Sequence, residues 1–180
     1  MDITDSEYRE IVVPVSVFGT LRRVLAKEAG TLPTIQALHS AGYSAGAAAV
    51  AGFPAAPGEH VSDLREDEFW TRLSAFFSKR GWGTLNHSTE HRAVGLLHSD
   101  DWVESADDEP SEEGSCSFSA GFLSGLLSSV AGGPVAVLEV SCRSRGDARC
   151  SFAFGSESAV HELYGQLLEG GDLEGALRAL

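Results

Sequence analysis

All three cysteines of this chain lie in the run CSFSAGFLSGLLSSVAGGPVAVLEVSCRSRGDARCSFAF, Cys116 to Phe154, which reads as one helix followed by one β-hairpin. Ser117 to Val130 carries Phe118, Phe122, Leu123, Leu126, Leu127 and Val130 at helical spacing, and Gly132-Gly133-Pro134 stops it. Pro134 to Val140 is apolar and β-branched. Arg143 to Arg149 holds the turn-forming Gly146 and Asp147, and Cys150 to Phe154 returns as the second strand. A hairpin symmetric about Gly146 sets Cys142 opposite Cys150, with Cβ atoms about 4.5–5.5 Å apart, close enough for two thiolates to share one metal ion.

Further ligands have to come from nearby. Glu139 is the ionisable side chain of an otherwise apolar strand, and a lone buried carboxylate is costly unless it is paired or coordinates a cation. Cys116, at the start of the preceding helix, can come down onto the hairpin, so the set is Cys116, Glu139, Cys142 and Cys150. Parity stands against it: Glu139 and Cys142 are an odd number of residues apart and point to opposite faces of an ideal strand, so a bulge or twist near Val140-Ser141 is required. Two other readings fit the same spacing. Cys142 and Cys150 can form a cross-strand disulfide, or all three thiols can be small buried apolar groups. The spacing matches none of the standard zinc signatures.

At these residues the chain resembles the 4-vinyl reductase domain family, whose members include the N-terminal sensors of aromatic-responsive bacterial transcription activators. The family's zinc-ligand pattern falls on Cys116, Glu139, Cys142 and Cys150, so the resemblance implies a structural Zn2+ closed to water by three thiolates and a carboxylate. LHSAGYSAG (Leu38 to Gly46) and FWTRLSAFFSKRGWGTL (Phe69 to Leu85) resemble the family as well. The fold implied is α+β, an antiparallel sheet packed with helices, shared with vesicle-tethering TRAPP subunits. In phenol-sensing relatives a Trp and a His grip the ligand hydroxyl. Trp102 fits that pattern loosely, and His98 is the candidate for the second position.

The chain has 180 residues, a formal net charge of −13, a pI near 4.7 and a mean hydropathy of −0.03, which suit one globular domain. So acidic a chain repels phosphate backbones and anionic lipid, and nucleic-acid and membrane partners are not expected. MDITDSEYRE lacks the basic and apolar regions of a secretion signal, and the run Ala45 to Ala56 is broken by Pro54. A cytoplasmic, reducing location is expected, where an odd set of three cysteines is metal-bound or free.

Along the chain, Ile11 to Gly30 reads as a short apolar run entering a helix that stops at Gly30. Pro33 opens a second helix through Ile35, Leu38, Tyr43 and the small residues Ala45 to Ala51. That small-residue face suits close packing, either within the core or across a homodimer. Phe53 to Ser62 reads as a linker, Asp63 to Arg80 as a helix ended by Gly81-Trp82-Gly83, and Thr84 to Leu97 as strand. His87 to His91 spells His-x-x-Glu-His, but in strand the two histidines do not share a helical face, so they read as structural. Glu104 to Ser115, with six acidic residues, reads as a solvated loop, and Glu157 to Leu180 as a helix broken at Gly170-Gly171. There is no Walker A loop, no GxGxxG and no helix-turn-helix. The aromatic-responsive activators continue into ATPase and DNA-binding domains that this chain lacks, so any output is expected to pass to a protein partner.

The expectation is therefore one domain over 1–180, with a helical dimerisation region at 1–56 and a ligand-binding core at 63–180. It would bind a small hydrophobic or aromatic molecule through Trp102, His98, Phe122, Leu126 and Val137, and regulate rather than catalyse. An accessory protein of tetrapyrrole metabolism and a ligand-free scaffold are the alternatives. Trp102 is expected to be a contact whose loss weakens binding with little effect on stability.

Overall fold

A computed structural model describes residues 9–53, 59–106 and 114–180. Two helices open it, α1 (Ser16–Ala29) and α2 (Thr31–Ala49), separated by Gly30, whose φ of 91° allows the sharp reversal. Helix α3 (Glu66–Lys79) follows, with Glu66, Asp67 and Glu68 at its positive end and Phe69, Leu73, Phe76 and Phe77 turned inward. Then come the hairpin β1 (Asn86–His91) and β2 (Val94–Ser99), helix α4 (Ser117–Ala131), the hairpin β3 (Ala136–Ser141) and β4 (Cys150–Gly155), and helices α5 (Glu157–Leu168) and α6 (Leu173–Ala179). The four described strands form one antiparallel sheet in the order β1-β2-β4-β3. The α+β class expected from the sequence is the one observed.

Strand alternation splits the sheet between two cores. Leu97, Phe152 and Val137 face α3 and α4, while Val94, Leu96 and Ala153 face Leu163 of α5 and Ala176 and Leu177 of α6. The larger core is aromatic. Phe77 meets Trp102 and Phe122 edge-on at 5.2 and 5.5 Å, and Trp82 stacks on Phe118 at 6.0 Å. Phe53 is stacked on Phe69 and Phe76, so the segment read as a linker begins with a core residue. Residues 54–58 lie outside the described residues.

The small-residue face of α2 is occupied within the chain. Gly42 and Gly46 meet the backbone of α4 at Phe118 and Phe122, and Gly121 and Gly125 of α4 meet α2 at His39 and Tyr43; a Cβ at any of the four would come within 2.1 Å of a carbonyl oxygen. Reserving that face for a homodimer is corrected accordingly. The same stretch, Gly42-Tyr43-Ser44-Ala45-Gly46, has the letters of a hydrolase nucleophile elbow, yet Ser44 lies mid-helix and donates to the Ser40 carbonyl at 3.2 Å. Its glycines answer to helix packing.

Candidate functional site

The bulge demanded by parity is present. β3 and β4 pair in register from Ala136↔Gly155 to Glu139↔Phe152, then shift between Glu139 and Ser141 so that Ser141 meets Ser151. Glu139 thereby shares the α4 side of the sheet with Phe152, and Cys142 follows it onto that side opposite Cys150. Beyond Cys142 a short 3-10 turn (Arg143–Arg145) leads to Gly146 at φ 92°, and Asp147 fixes the corner by accepting the Cys142 amide at 2.7 Å. Cys116 stands at the N-cap of α4, above the hairpin.

The three thiols are free, fully buried and clustered. Cys116 Sγ is 3.8 Å from Cys142 Sγ and 3.9 Å from Cys150 Sγ, and all three sulfurs lie within 4.8 Å of one another. Sulfurs about 2.3 Å from a common tetrahedral centre stand about 3.8 Å apart, so the spacing suits a metal ion. The Ser115 amide donates to Cys142 Sγ at 3.4 Å, and the Ser144 hydroxyl lies 3.1 Å from it. Glu139 accepts the Cys116 amide at 3.2 and 3.3 Å, and Gly114 packs against its carboxylate where a Cβ would come within 2.2 Å.

Electrostatics agree with the donor set. Contacts with the thiols of Cys116 and Cys150 hold Cys142 well below the usual thiol range. The neighbouring Cys142 in turn pushes Cys116 well up, and burial followed by the Cys142 charge pushes Glu139 up. Four acidic groups crowd a dry site that tolerates few negative charges, and a divalent cation is the species that relieves them.

Where α4 begins, a second carboxylate appears that the sequence reading assigned to a solvated loop. Glu104 is 3% exposed and accepts the amides of Phe118 at 3.0 Å and Ser119 at 2.8 Å, together with the Ser119 hydroxyl. Ser105 and Ser115 are buried with it, and residues 107–113 lie outside the described residues. Two acids therefore cap the first turn of α4 from outside the helix, Glu139 at Cys116 and Glu104 at Phe118 and Ser119. A buried Ser three residues after a Cys at a helix start was the available signal, and the acidic run beyond Glu104 masked it.

Burial pushes the Glu104 carboxyl up to about 7 against the opposing bonds from Ser119 and Phe118. A folded-state value above the unfolded one means stability that is complete below about 4.5 and is lost as pH rises through 7. The expected loss for the metal-free chain between pH 4.5 and 8 is about 3 kcal/mol from this group. Urea unfolding of Glu104→Gln beside the parent, both with chelator, isolates it: the variant's profile should be flatter by about that amount.

Trp102, Phe122, Leu126 and Val137 all sit in the larger core, within reach of α4. Trp102 is completely buried, with Phe152 at 5.9 Å and Trp82 at 5.8 Å. Truncating it leaves a large void, so the expectation of a stability-neutral Trp102→Ala is corrected to a loss of about 3–5 kcal/mol. His98 is not brought to Trp102. It lies on the α5-α6 side, its ring nitrogens 3.0 Å from the hydroxyls of Ser88 and Ser151, and burial lowers its pKa. Between α3 and β1 runs a cleft of about 580 Å³, lined by Asp67, Trp70, Ser74, Ser78, Leu85 and His87 among others. Leu85 and Trp70 also pack into the larger core, so the cleft reaches its edge. No described helix is long and apolar enough to cross a membrane.

Known proteins bear on this geometry. Residues 101–156 match the family model of the vinyl-4-reductase domain. An uncharacterized protein of Methanocaldococcus jannaschii is 25% identical over 148 residues, 82% of this chain and 71% of that protein. Among solved structures, the phenol-responsive sensory domain of the transcription activator PoxR, determined with phenol, superposes with a TM-score of 0.67 at 16% identity, covering 87% of this chain and 83% of that one. A vinyl-4-reductase family protein of M. jannaschii gives 0.53 at 19% identity, covering 81% and 83%. Trafficking protein particle complex subunit 3 of Naegleria fowleri, covalently bound to palmitic acid, gives 0.61 at 16%, covering 78% and 91%. The segment 101–156, which carries the three cysteines and Glu139, is accordingly a vinyl-4-reductase domain segment, set in the fold that proteins of that family share with the PoxR sensory domain and the trafficking-particle subunit.

Proposed function

We propose that this chain is a zinc-stabilised regulatory domain that binds a small hydrophobic or aromatic molecule and passes the signal to a protein partner. The observation that carries the reading is the arrangement at the start of α4. Three buried sulfurs at tetrahedral spacing and the Glu139 carboxylate meet at Cys116, one turn before the helix lends Phe118, Phe122 and Leu126 to the aromatic core. Cys116, Cys142 and Cys150 would bind the Zn2+ with Glu139 as fourth ligand, leaving no open position, so the ion's role is structural. In a reducing, cytoplasmic setting the thiols stay available for it. The molecule would enter from the α3-β1 cleft and lie against Trp102, Phe122, Leu126 and Val137. That a related fold is known with phenol and another with palmitic acid supports a ligand of this kind.

A homodimer belongs to the same reading, built on a face other than the glycine seam. Val15, Leu21 and Val24 of the α1 region are 44%, 44% and 53% exposed, and Ile11 and Val12 just before it are more so, an apolar stripe suited to a second copy. The competing reading, a scaffold with a filled core, is favoured by the completeness of the packing around Trp102, Phe152 and Leu126. Native mass spectrometry of freshly purified protein, with elemental analysis, separates them. The expected result is one zinc per chain, a two-chain mass, and added or retained apolar ligand. A zinc-free monomer that takes up no aromatic probe rejects the proposal, and a zinc-bound protein that takes up none leaves the scaffold.

A further inference from the structure

The polar groups inside the larger core form a single chain of hydrogen bonds. The indole N–H of Trp102 donates to Ser119 Oγ at 2.8 Å, and the Ser119 hydroxyl donates to Glu104. A hydroxyl has one proton and two lone pairs, so a Ser119 whose proton is given to Glu104 can only accept from Trp102. Glu104 cannot swing away, because its two oxygens also hold the amides of Phe118 and Ser119. All three residues are at most 3% exposed. The single N–H of the indole is therefore spent. What Trp102 presents to its neighbours Phe77, Trp82 and Phe152 is ring surface alone. His98 adds nothing on that side, since strand alternation places it on the other face of the sheet with a serine hydroxyl at each ring nitrogen.

We propose that Glu104 and Ser119 are specificity-determining residues: by holding the Trp102 N–H they leave an aromatic wall with no free donor, so the site selects purely apolar aromatic or alkyl molecules and rejects their hydroxylated counterparts. The inference rests on Trp102 walling the ligand site, as proposed above. A ligand hydroxyl pressed against this wall gives up its water and finds no partner, which costs enough to reduce affinity roughly tenfold or more against the matching hydrocarbon. Ser119→Ala releases the indole N–H, and a phenolic oxygen can then accept it. Ser119→Thr keeps the hydroxyl and with it the original preference.

The test titrates toluene and phenol into the parent chain, Ser119→Ala and Ser119→Thr by calorimetry. In parallel, the Trp102 indole resonance is followed in protein labelled with 15N-tryptophan and assigned with Trp102→Phe. In the parent, toluene should bind at least about tenfold more tightly than phenol, and the Trp102 N–H should resonate downfield and exchange slowly. Ser119→Ala should erase or reverse the preference and shift that resonance upfield, while Ser119→Thr restores both. Phenol binding as tightly as toluene to the parent overturns the inference and leaves the ligand-binding reading intact, as does a ratio unchanged in a folded Ser119→Ala. If Ser119→Ala does not fold, a Trp102 resonance that moves when phenol but not toluene is added to the parent overturns it equally. Binding of neither probe to any variant removes the ligand-binding reading and this inference together.

Discussion

Cys150→Ser is expected to bind far less than one zinc per chain and to melt roughly 8–16 °C below the parent, a loss of about 4 kcal/mol in a domain of this size. Cys150 opens β4, where it pairs with Ser99 of β2, and its sulfur is 3.9 Å from Cys116 at the head of α4. One ion at this point would tie the sheet, the β3-β4 turn and the helix that floors the aromatic core. Its binding free energy is then folding free energy for all three, and serine, a poor zinc ligand, forfeits most of it. The parent treated with chelator should melt with the variant. A Cys150→Ser protein with full zinc content and the parent's melting temperature would rule out the metal centre. A chelated parent that melts at its untreated temperature would do the same.

Gly46→Val should destabilise the fold by about 3 kcal/mol or more, with Gly46→Ala somewhat milder. The reason is which atoms stand in the way. A Cβ at Gly46 would lie 1.9 Å from the Phe122 carbonyl oxygen and 2.9 Å from its Cα, so helix backbone rather than a side chain has to move. Separating α2 from α4 there drags Phe118 and Phe122 from Trp82, to which they pack at 6.0 and 6.3 Å. Gly165→Ala on α5 is the control, since a Cβ there meets nothing within 4 Å, and it should be neutral or slightly stabilising. Urea unfolding of the two side by side checks this. A Gly46→Val chain as stable as the parent would mean that the α2-α4 seam is not packed at backbone contact.

Everything that depends on neighbours within a few residues could be read from the letters. Periodicity and Gly-Pro stops located α4, opposed spacing about Gly146 set Cys142 against Cys150, and the parity of Glu139 and Cys142 required the irregularity seen between Glu139 and Ser141. Local backbone geometry alone dictates these. Tertiary structure decided the partners. Small residues at Gly42 and Gly46 announce that a backbone comes close but not whose, and it is α4 of the same chain that comes. Glu104 stands at the edge of an acidic run that looks solvated, yet the unpaired amides of a helix start more than ten residues away draw it into the core. His98 and Trp102 are four residues apart in sequence and on opposite sides of a sheet, because strand alternation points His98 toward α5 while the chain after β2 turns Trp102 back under α4.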